Sequence, residues 1–211
     1  MSDPKLLLIS QEDYDILFPV SNHENELLLN NDIIRFDINF VSKLNFDKMG
    51  EFPIHIGPYP QNEIDIELMH KSGITAVLNV QSDMDFIHRQ INWNNNLKAY
   101  KDRKIRIERY PIYDFNSDDL IKKLKGAGDL LHELIRNKHE VYVHCTAGMS
   151  RAAATVIIYL YYYQMMGLYE AYDYVKKFRS IICPNLNAIQ QVIKNNEGYG
   201  DQENNYQIMK N

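Results

Sequence analysis

The sequence predicts an α/β domain built on a central, largely parallel sheet flanked by helices. Three observations point there. Residues 74–80 and Val141–His144 are short, β-branched and apolar, the signature of strands buried on both faces. Stretches with helical periodicity and capping residues alternate with such strands, and parallel pairing requires that alternation. At 211 residues, 45% hydrophobic and 24% charged, the chain is long enough for one globular domain with a real core.

The elements follow in order. Residues 1–31 are mixed, with short helices expected near 11–17 and after Ser21, and are taken as a partly helical N-terminal extension. Residues 32–44 alternate apolar and polar side chains as a half-buried strand does. A short strand over 53–57 ends at the turn residues Gly57, Pro58 and Pro60. Asn62 is placed to cap a helix reaching Lys71, which Gly73 stops. After the inner strand at 74–80, residues 81–103 read as irregular and polar, and 105–113 alternates again. Ser117 caps a long helix to Asn137, with Asp118 and Asp119 on its positive first turn. Val141–His144 runs at once into a glycine-containing loop, and helices are expected over 150–166, 168–178 and 185–195. The main domain is thus 32–195, and 196–211 is a polar tail.

Composition narrows the function. A formal charge of −5 with no Lys/Arg-rich run argues against a nucleic-acid surface, while leaving room for local positive potential around one small anion site. The most apolar stretch, 152–166, is too short and too rich in tyrosine to span a bilayer, and the start of the chain lacks the features of a secretory signal. Only Cys145 and Cys183 are present, far from a disulfide framework, so a soluble cytoplasmic protein is expected. No metal-binding cluster is visible, so no metal or other cofactor is expected.

The chemistry lies in Val141-Tyr-Val-His144-Cys145-Thr146-Ala147-Gly148-Met149-Ser150-Arg151. A buried strand delivers Cys145, and a tight turn with small residues leads into a helix. Successive backbone N–H groups of such a turn form a cup for an oxyanion, and the helix start adds its positive end. Thr146, Ala147, Gly148, Met149 and Ser150 line this cup, and Arg151 supplies a planar fork for two phosphate oxygens. A thiolate facing bound phosphate is a nucleophile already in place. Ser150 can donate its hydroxyl to the sulfur when the cysteine leaves, and His144 can brace the loop. A buried structural cysteine before a helix is the plainer alternative, but it does not explain the arginine six positions on.

His-Cys-x5-Arg resembles the active-site motif of the protein tyrosine phosphatase superfamily, in the form of its dual-specificity branch, and the similarity runs over about 32–195. The resemblance implies a cysteine-dependent phosphatase that forms a phosphocysteine. Such a reaction needs an acid for the leaving oxygen. Asp114 follows a strand and stands 31 positions before Cys145, an offset matching the family's acid; Asp118 and Asp119 have a structural reading at the helix start. Cys183, before a helix, is expected to be a small buried residue, with a redox partnership to Cys145 as the alternative.

Within that branch the start of the loop, Cys-Thr-Ala-Gly-Met, is similar to the glucan phosphatases, the plant starch-excess enzymes and animal laforin. So are Ile56-Gly-Pro-Tyr-Pro-Gln61, Ala76-Val-Leu-Asn-Val-Gln-Ser-Asp-Met-Asp85 and the pair Asp114-Phe115. The resemblance implies aromatic contacts to glucose rings from Phe115, Phe86 and Trp93; loop packing is the alternative for Phe86 and Trp93. Ser150 departs from the glycine usual there and is the choice of protein-directed members. The favoured substrate is a phosphorylated glucan, with a phosphoprotein as the alternative and a silent phosphate- or glucan-binding adaptor as the third. The uncharged Thr146, Ala147 and Met149 speak against phosphoinositides.

Overall fold

The structure, a computed structural model, describes residues 44–197. Its strands are β1 (Asp47–Lys48), β2 (Ile54–Gly57), β3 (Ala76–Gln81), β4 (Arg106–Ile112) and β5 (Val141–His144). They form one sheet in the order β1-β2-β5-β3-β4, parallel throughout except for β1, which pairs antiparallel with β2. The expected α/β class and largely parallel sheet are therefore present. β5 lies at the centre, which buries all four of its residues and opens its carboxyl end onto the crevice where such sheets place their ligands.

The helices are α1 (Glu63–Lys71), α2 (Asp83–His88), α3 (Trp93–Asp102), α4 (Ser117–Arg136), α5 (Arg151–Gln164), α6 (Leu168–Phe178) and α7 (Leu186–Glu197). On α4, Leu120, Leu124, Ala127, Leu131 and Leu134 recur three or four apart and form one buried stripe. That stripe packs with α5, whose residues 151–160 are all buried, in the larger core. A second cluster joins Ile66 and Met69 of α1, Ala99 and Tyr100 of α3, and Val77 and Tyr142 of the sheet. On α5, Tyr159 is buried while Tyr163 stacks on His132 at a centroid distance of 3.8 Å, so this tyrosine stripe is helix packing.

Several boundaries differ from expectation for identifiable reasons. The cap of α4 is Asn116, not Ser117: its extended backbone lets Asn116 Oδ1 accept from the Asp119 N–H at 2.9 Å. The stretch read as irregular, 81–103, holds α2 and α3. Asn92 caps α3, and Asn96, Ala99 and Tyr100 bury one face of it, so tertiary packing overrides the poor helix propensity of the asparagines. The two-residue β1 had no periodicity to reveal it. Of the strand expected over 32–44, all but Leu44 lies outside the described residues, and Leu44 is not in a strand. The extension 1–31 also lies outside, as does the tail from 198, while residues 196 and 197 close α7. Cys183 is exposed rather than buried, because the loop between α6 and α7 carries it over the surface. Among the described residues no helix is long and apolar enough to cross a membrane.

Candidate active site

Cys145 follows β5 directly and is 3% exposed. The loop after it is held from outside through five successive carbonyls. His144 Nδ1 lies 3.1 Å from the Cys145 carbonyl, the Tyr59 N–H donates to Thr146 O at 3.2 Å, and the Cys183 N–H donates to Met149 O at 3.0 Å. Arg179 covers the remaining two, with Nε on Gly148 O at 2.9 Å and Nη2 on Ala147 O at 3.5 Å, while its Nη1 is fixed by Asp47 at 2.7 Å. Among the described residues the peptide bonds are all trans, so a carbonyl turned outward turns the next N–H inward. Thr146 through Ser150 thus aim their N–H groups at a common centre, and among the described residues none of these groups has an acceptor. An oxyanion is the ligand such a ring of donors fits.

Gly148 makes the turn possible. Its φ is +67°, and a Cβ there would lie 2.3 Å from both the carbonyl carbon and the oxygen of Gly57. Gly148→Ala is expected to cost about 1–3 kcal/mol in melting experiments. By displacing the loop it should also lower kcat/KM on an aryl phosphate on the order of 100-fold.

Arg151, the first residue of α5, is 3% exposed. Its Nη1 donates to Asp85 Oδ2 at 2.8 Å and to Ile112 O at 2.9 Å, and its Nη2 donates to Asp85 Oδ1 at 2.9 Å. Nη2 also lies 2.8 Å from Asp114 Oδ2. The Thr146 hydroxyl joins the network by donating to Asp85 at 2.7 Å and accepting from Gln81 Nε2 at 3.1 Å. His144 is buried, which pulls its imidazole down to about 4, so it braces the loop as a neutral ring.

Asp114 is thus brought to the guanidinium of Arg151. Burial is the largest influence on its carboxyl and raises its proton affinity; the charge of Arg151 opposes this and that of Asp85 adds to it, and the net direction is up. A carboxyl that stays protonated to higher pH suits a proton donor. The rival Asp119 accepts from the Tyr113 N–H at 2.8 Å and pairs with Lys123, and Asp118 is exposed on α4.

Of the aromatic candidates, Phe115 stands free, 76% exposed, with its backbone in the left-handed region at φ 53°. Phe86 and Trp93 are half-buried and packed together at a centroid distance of 5.1 Å, with the Arg109 guanidinium 4.4 Å above the Phe86 ring. Each of the two rings thus has a packing role, while both keep part of their surface exposed. The Ser150 side chain makes no capping bond to α5.

Residues 54–197 match the dual specificity phosphatase catalytic domain family, and the chain belongs to it. It is 34% identical over 137 residues to phosphoglucan phosphatase LSF1, chloroplastic, of Arabidopsis thaliana, covering 65% of this chain and 23% of that protein. To laforin of Mus musculus it is 33% identical over 120 residues, covering 52% of this chain and 36% of laforin. To dual specificity protein phosphatase 7 of Homo sapiens it is 28% identical over 155 residues, covering 67% and 32% respectively. The chain therefore matches only part of the length of these relatives. The fold is also that of human tyrosine phosphatase-like serine/threonine/tyrosine-interacting protein, with a TM-score of 0.58 at 22% identity over 71% of this chain and 94% of that one.

Proposed function

We propose that the chain hydrolyses phosphate monoesters of a glucan through a phosphocysteine on Cys145. The observation that carries the chemistry is the ring of inward N–H groups from Thr146 to Ser150 around a buried thiol, with Arg151 and Asp114 beside it. Cys145 attacks phosphorus, the bond to the leaving oxygen breaks, and Asp114 gives that oxygen its proton. Water, deprotonated by the same carboxylate, then displaces the cysteine, whose sulfur accepts a hydrogen bond from Ser150. Developing charge on the equatorial oxygens falls on the loop N–H groups and Arg151.

The glucan reading draws support from the likeness to a phosphoglucan phosphatase and from Phe115, an exposed ring one residue from the acid. The uncharged loop lining fits a monophosphate on a neutral polymer. A cytoplasmic setting belongs to the same reading, supported by two free cysteines. Phosphate release from amylopectin or glycogen should exceed release from phosphopeptides, and Phe115→Ala should lower the glucan rate roughly threefold to tenfold, with much less effect on an aryl phosphate. Equal or better rates on phosphopeptides, with no inhibition by long glucans, would favour the protein-directed reading that Ser150 supports.

A further inference from the structure

A guanidinium has two edges that can grip an anion, and in Arg151 the fold has already filled one. The end edge, Nη1 and Nη2, is seated on both oxygens of Asp85 at 2.8 and 2.9 Å, with Ile112 O as a further acceptor at 2.9 Å. Nε is buried and has no acceptor among the described residues. Asp85 does not swing with the arginine, because it closes the capping box of α2: it accepts from the Ser82 N–H at 2.8 Å and from the Ser82 hydroxyl at 2.6 Å. The Thr146 hydroxyl holds its other oxygen at 2.7 Å.

We propose that Asp85 is a positioning residue of this site: its carboxylate seats the end edge of Arg151 so that Nε is left for substrate phosphate, and it sets its negative charge against Asp114. The second half rests on Asp114 being the acid. The two carboxyls share one arginine yet diverge. Burial acts to raise the proton affinity of Asp85, but the hydrogen bonds and charge of Arg151, with those of Ser82 and Thr146, outweigh it and hold Asp85 well below the ordinary carboxylate range. Asp114 moves the other way, under burial and the neighbouring Asp85 charge. Such a split assigns one carboxyl to stay ionised and the other to carry the proton. Cys145 on the loop acts on Arg151, and His144 at the end of β5 lies in the field of Arg151 and Asp85 as a neutral ring; Arg109 on β4 acts on His144 and is tied to Asp83 at 2.7 Å.

The test measures kcat/KM against pH for the full chain on p-nitrophenyl phosphate, which needs little acid assistance, and on phenyl phosphate, which needs more. Asp85→Asn should lower kcat/KM on the order of 10- to 100-fold on both, because a charge-assisted bidentate seat is lost. The fall should be larger on phenyl phosphate, whose basic limb should move to lower pH as Asp114 loses the charge that favours its protonated form. Asp85→Glu keeps the charge but displaces the arginine, so it should slow both substrates alike with the limb in place. A limb unmoved in Asp85→Asn, or rates within threefold of wild type in either variant, overturns the proposal. If Asp85→Asn does not fold, Asp85→Glu at wild-type rate does the same. Persistence of the basic limb in Asp114→Ala would instead remove Asp114 as the acid and overturn the electrostatic half. The p-nitrophenyl rates of the Asp85 variants would then decide the seating half alone.

Discussion

Cys145→Ser is expected to reduce turnover on any phosphate ester on the order of 10⁴- to 10⁶-fold, the scale seen when an enzyme loses its nucleophile. Inorganic phosphate should still bind with an affinity close to that of the unaltered chain. Serine differs from cysteine by one atom, and the loop is held through carbonyls that this change leaves alone, so the ring of N–H donors from Thr146 to Ser150 survives. What disappears is the sulfur, a softer and stronger nucleophile than a hydroxyl oxygen and a better leaving group in the second step. Steady-state rates on p-nitrophenyl phosphate and calorimetric titration with inorganic phosphate separate the two quantities. A residual rate within 100-fold of wild type would mean that phosphate transfer does not pass through Cys145.

Arg151→Ala is expected to strike twice. Loss of the guanidinium beside the phosphate cup should lower kcat/KM on the order of 100- to 1000-fold. The same change strands Asp85, 9% exposed, as a buried carboxylate whose bidentate partner is gone. Removing one side of a buried ion pair costs about 3–5 kcal/mol, which for a domain of this size lowers Tm by roughly 10 °C. Asp85 is held below its unfolded proton affinity, so the pair stabilises fully above about pH 4 and the contribution is lost as pH falls through the folded value. The deficit of Arg151→Ala should therefore shrink in acid. It should also shrink at neutral pH when Asp85→Asn is added, because the stranded charge is then absent. Additive losses in the double variant would show that the two residues are not coupled.

The motif was readable because its chemistry demands particular residue types at fixed local spacing. Cys145, the small residues after it and Arg151 lie in one continuous stretch, and Asp114 sits at a definite offset after a strand. The inner strands and most helices were equally plain from periodicity and caps. Asp85 and Arg179 were not. Asp85 meets Arg151 across 66 positions, and Arg179 reaches Gly148 across 31 and Asp47 across 132, relations that no local pattern encodes. A hint existed for each: Asp85 closes a Ser-x-x-Asp cap, and Arg179 is a lone arginine entering an apolar run before Pro184. The polar stretch 81–103 concealed two helices because asparagine is a better cap than helix interior, and only burial of Tyr100 and Ala99 decided the matter.

The five outward carbonyls also bear on folding. Their holders come from residue 59, from the strand–loop junction at 144, and from 179 and 183, and Arg179 is itself anchored at 47. Apart from the His144 contact, the cup is therefore specified by contacts of high sequence separation, whose loop-closure entropy must be met before they form. A partly assembled chain could possess the thiol, the arginine and the acid and still lack the shape that makes them a catalyst. On the proposed mechanism, activity then reports completion of the whole cooperative unit, and local opening of the α6–α7 connection is expected to abolish it with Cys145, Arg151 and Asp114 unchanged.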